Sequence, residues 1–252
     1  MNFKDLHKQE KPLLLCNVWD VASTKVAEKL NFQALGTSSA AISNMLGYAD
    51  GEGITFSELQ YMVQRIMKHT SLPLSVDVEA GYGRDVATIV KNIKALAKLG
   101  VVGINIEDST VEKERKLLVA ESFSKILLAL KQQLEKDNVP IFLNVRTDTF
   151  LLGPPNPIDE TIKRIQLYER AGADGIFIPC IEKEEDIKNV VTNTKLPTNL
   201  MCMPNLPNFE RLKVLGVKRI SMGNFLFDKL HKYFEKELNE IAIQQSFNPV
   251  FL

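Results

Sequence analysis

Asp77 and Glu79, then Glu107, then Arg146 stand at the ends of three apolar segments of this 252-residue chain, "LSVDVEAGYG", "GINIED" and "NVRTD". Side chains alternate along a strand, which places Asp77 and Glu79 on one side. The same alternation groups Asn105 with Glu107, and Asn144 with Arg146 and Asp148. Neighbouring carboxylates repel, and burying them is costly without a positive partner. Three carboxylates outweigh the single fixed guanidinium of Arg146. Hard oxygen ligands with charge to spare suit Mg²⁺ or Mn²⁺, held by one or two direct carboxylates and several waters. Such a cation would in turn hold an anionic oxygen substrate. One acidic residue at a strand end is explained by an ion pair; three with an arginine, on adjacent strands, point to a site. The glycines of "AGYG" let the backbone turn sharply beside it.

The elements that must carry these residues alternate between strand and helix. Apolar runs of strand length begin at Leu13, Ala34, Leu72, Val102, Ile141, Gly175, Thr198 and Lys218. Most are continuous rather than alternating, as expected for parallel strands covered on both faces. Amphipathic runs fill the gaps. Asp20 is a good N-cap for "VASTKVAEKL", and Thr55 with Glu58 has capping-box spacing. "KLGVVGINIE", "RAGADGIFIP" and "VLGVKRISMG" repeat one αβ unit, each turning at a glycine. "KLNFQALGTS" is a looser copy. Eight such units predict a single α/β domain, a (β/α)8 TIM-type barrel over residues 1–252 with a C-terminal helical tail. An open doubly wound sheet is the alternative, but no G-x-G-x-x-G follows the first strand. In such a barrel chemistry sits at the carboxyl ends of the strands, where Thr37, Ser38 and Ser39 also fall.

Composition narrows the classes. Acidic and basic residues balance at 31 each, which argues against nucleic acid or an anionic membrane surface as partner. Cys16, Cys180 and Cys202 include no CxxC pair, so neither a disulfide framework nor a structural zinc site is expected. The polar N-terminus and the lack of a long apolar run lead us to expect a cytoplasmic protein without a signal peptide. No strand end carries a lysine for Schiff-base chemistry. His7, His69 and His231 fall in helices or the tail and read as surface residues.

Together, "SVDVEAGYG", "GINIEDS", "NVRTD" and "GTSSAAISNMLGYADGE" resemble the isocitrate lyase/phosphoenolpyruvate mutase superfamily, in the same order and over nearly the whole chain. The resemblance implies a (β/α)8 barrel with Mg²⁺ at the carboxylate cluster. It further implies C–C or P–C bond cleavage or formation beside a 2-oxo acid. It implies dimers or tetramers in which the last helix packs on a neighbouring subunit. Asp77 then matches the direct metal ligand, and Glu79 and Glu107 match carboxylates that reach the metal through water. Asp50 matches an acid near the metal waters. Ser38 and Ser39, next to Thr37, match the carboxylate-binding turn, and Arg146 matches the arginine on substrate oxygen. Asn17 and Asp20 could join the rim.

One departure bears on mechanism. The lyase branch has a loop after strand four with a K-K-C-G-H motif, whose cysteine donates a proton. Here "EDSTVEKERKLLVAES" follows, without cysteine, histidine or glycine, and reads as the start of a helix rather than a lid. Cys180 reads as a small buried residue and not as a replacement acid. The expectation is therefore a Mg²⁺-dependent lyase on a small 2-oxo or 2-hydroxy acid, with decarboxylation attractive because CO2 leaves without needing a proton. Two alternatives stand beside it. One is a C–C lyase or P–C hydrolase or mutase with an unrecognised base such as Tyr48 or Tyr82. The other is a metal-dependent binder of 2-oxo acids that has lost its chemistry.

Overall fold

The computed structural model describes residues 2–154 and 156–251. All eight expected strands form, and they pair in parallel into one sheet that closes on itself. The first barrel strand is split at Leu15 into β1 (Leu13–Leu14) and β2 (Cys16–Val18). β1 pairs with the last strand, β11 (Arg219–Ser221), and β2 with β3 (Leu35–Thr37). Leu15 bridges the seam, its N–H donating to the Ile220 carbonyl at 2.8 Å. Between them run β4 (Leu74–Asp77), β5 (Gly103–Glu107), β8 (Phe142–Arg146), β9 (Gly175–Ile178) and β10 (Thr198–Met201). The architecture is the (β/α)8 barrel that the repeats predict.

Alternation sorts each strand into two cores. Val76, Ile104, Val145, Ile178 and Leu200 pack outward against the helices in one large apolar cluster. The inward residues form a smaller cluster at the N-terminal end, where a 3₁₀ helix, Phe3–Lys8, inserts Phe3 and Leu6 against Leu13, Leu15 and Phe142. His7 belongs to this plug. It is 4% exposed and stacks on Phe142, contrary to the surface position expected from sequence. The tail is no exposed lead-in, because its apolar side chains close the bottom of the barrel.

Local signals account for the helices. Asp20 caps α1 (Val21–Lys29), and Thr55 with Glu58 closes the capping box of α3 (Phe56–Met67). Ser38 caps α2 (Ser39–Met45), a short helix that starts directly after β3. The segment after β5 departs from expectation. It forms an antiparallel hairpin, β6 (Ser109–Val111) with β7 (Arg115–Leu117), and not the start of a helix. The following helix, α5 (Ala120–Lys136), begins only afterwards. The last long helix, α10 (Phe225–Gln244), leaves Leu226, Leu230, Phe234 and Leu238 exposed. Among the described residues no helix is long and apolar enough to cross a membrane.

Candidate active site

A cavity of about 180 Å³ opens at the carboxyl ends of the strands, lined by Asp77, Ser38, Ser39, Asn105 and Arg146 against an apolar wall of Phe177, Pro179 and Met201. Strand register builds it. Asp77 pairs with Asn105, Asn105 with Asn144, and Glu107 with Arg146. Asp77 is set at both ends. Its N–H donates to Thr37 Oγ1 at 2.8 Å, and its Oδ2 accepts from Ser39 Oγ at 2.9 Å. The turn from β3 into α2 thus places Thr37, Ser38 and Ser39 around Asp77. Asn17 ties the rim across the barrel seam, accepting from the N–H groups of Met222 and Gly223 at 2.7 and 3.1 Å. The Asp20 carboxylate is used by its helix cap, accepting from Ser23 N at 2.7 Å.

Asp77 and Glu79 do not share a face. β4 ends at Asp77, and Glu79 has φ +50°, a left-handed conformation that breaks the period-two alternation. The Glu79 carboxylate turns to the Glu52 N–H at 2.5 Å and the Tyr82 hydroxyl at 3.0 Å. It is buried beside the site without lining the cavity. Glu52, Tyr82 and Cys180 also adopt positive φ here. Such strain persists only where the surrounding structure imposes it.

Two guanidiniums serve the cluster, not one. Arg146 pairs with Glu107 at 3.0 Å and with Asp148 at 2.6 Å. The hairpin supplies the other. Arg115 makes a short contact to Glu107, and it reaches Asp50 at 3.0 Å and Asp148 at 3.5 Å. Sequence gave no sign of this residue, since its role depends on the hairpin. Even so, the five carboxylates of Asp50, Asp77, Glu79, Glu107 and Asp148 outnumber the two cations. Burial, repulsion from Asp50 and repulsion from Asp77 push Glu79 up to about 7. Burial raises Asp77, against the pull of Arg146 and the Ser39 hydrogen bond. Burial likewise pushes Glu107 up to about 8, against Arg146. Burial pulls Arg146 down, but Glu107, Asp148 and Asp77 outweigh it and raise its pKa. Glu107 Oε2 is buried with no hydrogen-bond donor, although Arg146 is at ion-pair distance.

Among the described residues no three His, Cys, Asp or Glu side chains converge as a ready ligand set. Asp77 alone of Asp77, Glu79 and Glu107 faces the cavity. No described lining residue is a histidine or a tyrosine. Tyr48 donates instead to Glu58 at 3.1 Å, and the Tyr82 phenol, raised by burial and by Glu79, is bound to that carboxylate. Neither is placed as a base for a ligand in the cavity. Cys180 is half-buried and lines the cavity, closer to the site than its sequence context suggested; burial raises its thiol pKa.

Residues 3–242 match the family model described as phosphoenolpyruvate phosphomutase. An uncharacterized protein of Mycobacterium tuberculosis (strain ATCC 25618 / H37Rv) is 34% identical over 224 residues, covering 89% of this chain and 82% of that protein. Oxaloacetate decarboxylase 1 of Pseudomonas fluorescens (strain Pf0-1) is 30% identical over 227 residues, covering 86% and 75%. A solved structure of a candidate phosphonomutase from Burkholderia cenocepacia J2315 superposes with a TM-score of 0.88 at 30% identity, over 94% of this chain and 97% of that one.

Proposed function

The chain belongs to the phosphoenolpyruvate phosphomutase family, and on that premise we propose that it is an enzyme that holds a small 2-oxo or 2-hydroxy acid with a divalent cation and breaks a C–C bond near the oxo carbon. Decarboxylation of a 2-oxo diacid such as oxaloacetate suits the cavity best. The observation that carries this reading is the lining itself. It offers a guanidinium to an anionic ligand and carboxylates to a cation, and its described residues include no histidine or tyrosine, the half-buried Cys180 being the one thiol. Loss of CO2 needs no proton donor. The similarity to oxaloacetate decarboxylase 1 of Pseudomonas fluorescens supports the same choice.

The donor set fits Mg²⁺ or Mn²⁺. Its oxygens are hard, and Asp50 and Asp77 both line the cavity, so carboxylate oxygen is available to a cation there. Asp77 would hold the ion directly, with Glu79 and Glu107 reaching it through water. When bound, the cation would supply Lewis-acid stabilisation of charge that develops on substrate oxygen. Arg146 faces the same charge with a planar fork suited to carboxylate or enolate oxygens. Ser38, Ser39 and Thr37 form the turn that receives the substrate carboxylate. Asp50, held by Arg115, borders the cavity mouth. As the C–C bond breaks, its electron pair moves into the enolate, CO2 leaves, and water returns a proton to carbon.

The test is release of CO2 and pyruvate from oxaloacetate with Mg²⁺, measured above the spontaneous rate and beside methylisocitrate and phosphonopyruvate. A second reading, P–C bond chemistry, draws on the structural similarity to the Burkholderia protein and requires a product specific to phosphonopyruvate. Binding of oxalate without any turnover would instead mark a binder that has lost its chemistry. The apolar stripe of α10 supports an assembly of two or four copies in which that helix packs on a neighbour. Mass in solution tests it.

A further inference from the structure

Below the cavity floor lies a charge that the mechanism above does not use. Arg219, on β11, is 1% exposed inside the barrel. Among the described residues no carboxylate lies within ion-pair distance of it, and its Nε and Nη1 have no hydrogen-bond partner. Its Nη2 donates to Asn105 Oδ1 at 3.3 Å. An isolated buried guanidinium is expensive, so its single contact is informative. Burial lowers its pKa to about 9, with Asp77 opposing the shift, so it stays charged at neutral pH.

Asn105 Oδ1 also accepts from Asn144 Nδ2 at 2.8 Å. Two facing amides are ambiguous by themselves. Both can flip together and exchange donor for acceptor while keeping their hydrogen bond. A guanidinium removes the ambiguity, because it only donates. The Asn105 atom facing Arg219 must therefore be oxygen. With both donors on that oxygen, the amide nitrogen is left over. Asn105 lines the cavity, and among the described residues nothing accepts from its Nδ2.

We propose that Asn105 Nδ2 donates to an oxygen of the bound acid, and that Arg219 is the positioning residue that holds the amide in this orientation. The inference rests on the cavity being the acid site proposed above. Asn105 adds a neutral, directional donor to a site otherwise governed by charge. Any acid that presents an acceptor oxygen at that point is met by this donor, whose direction Arg219 fixes.

The test uses calorimetry of oxalate binding in the presence of Mg²⁺. Asn105→Ala should weaken binding about tenfold or more, as expected for a lost hydrogen bond to a charged group. Arg219→Met should weaken it about twofold or more, since an unlocked amide spends roughly half its time reversed. In the Asn105→Ala background Arg219→Met should cost nothing further, and Arg219→Lys, which also only donates, should recover part of the loss. A role in folding or in long-range attraction alone would leave the Arg219→Met penalty intact in that background and would overturn the positioning role. Asn105→Asp keeps the shape and gives Arg219 a carboxylate, so it should fold even if Arg219→Met does not. It should lose affinity for oxalate, and retained affinity would overturn the proposal. Failure of the wild-type protein to bind oxalate would overturn the acid site together with this inference. Wild-type binding that the Asn105 variants leave unchanged would overturn this inference alone.

Discussion

The two ends of the barrel are made from the same eight strands and solve opposite problems. At the N-terminal end Phe3, Leu6, Leu13, Leu15 and Phe142 pack into a closed apolar plug. Gly103 leaves it room, for a Cβ there would sit 2.9 Å from Phe3 Cε1. At the carboxyl end five carboxylates crowd two guanidiniums, and Glu52, Glu79, Tyr82 and Cys180 hold left-handed backbone. One end lowers the free energy of folding by burying apolar surface. The other holds left-handed backbone and crowded carboxylates, whose repulsion a proton or a bound cation would relieve. The difference teaches that stability and function can be probed separately here, by substitutions at opposite ends.

The largest expected effect belongs to the plug. Phe3→Ala should destabilise the fold by about 3 kcal/mol, the low end for a buried phenylalanine. Oxalate affinity of the folded fraction should not change. A denaturant midpoint shift with altered affinity would show that the ends are coupled.

Acid should weaken the plug by a comparable amount. Burial and, secondarily, Arg219 lower the His7 pKa from 6.5 to about 4. Between these values the unfolded chain binds the extra proton and the folded chain does not. His7 therefore makes stability fall as pH drops below about 6.5, and the loss is complete below about 4. The full effect approaches about 3 kcal/mol. His7→Phe should flatten that part of the stability curve in urea titrations from pH 7 to 4. An unchanged slope would place the titration elsewhere.

At the carboxyl end, Arg146→Lys keeps the charge and loses the fork. Ligand affinity should fall at least about tenfold, or roughly 1.4 kcal/mol, with little change in melting temperature. Retained affinity would confine Arg146 to its pairs with Glu107 and Asp148. The smallest effect concerns Cys180. Iodoacetamide should modify it slowly, because burial holds the thiol protonated, and oxalate should protect it. Cys180→Ala should keep activity and lose the sensitivity. Loss of activity in that variant would mean that the thiol takes part in the chemistry.

The sequence made the regular parts of this molecule readable, because continuous apolar runs and capping residues such as Thr55 act locally. Asp77, Arg146 and the serines after β3 were also recognisable, since strand ends in a barrel face one mouth. What escaped depends on geometry that periodicity does not carry. The hairpin β6–β7 has polar strands and a charged tip, so no apolar alternation marks it, and Arg115 was invisible without it. Alternation puts Glu79 on the face of Asp77 only if the strand continues two residues past its actual end. His7 looks like a surface residue from sequence because its stacking partner Phe142 is distant along the chain. The lock on Asn105 needs Arg219 from the other side of the barrel, 114 residues away.

The central claim is that the carboxylate cluster is a cation site facing an acid-binding cavity, and Asp77 is where it is most exposed to test. Mg²⁺ should be titrated calorimetrically into the wild-type protein and into Asp77→Ala, with thermal melts alongside. The account predicts that binding heat is lost in the variant. Its melting temperature should hold or rise, because one buried carboxylate has been removed from a crowded set. Unchanged Mg²⁺ affinity in Asp77→Ala would contradict it and leave the cluster as a network of ion pairs.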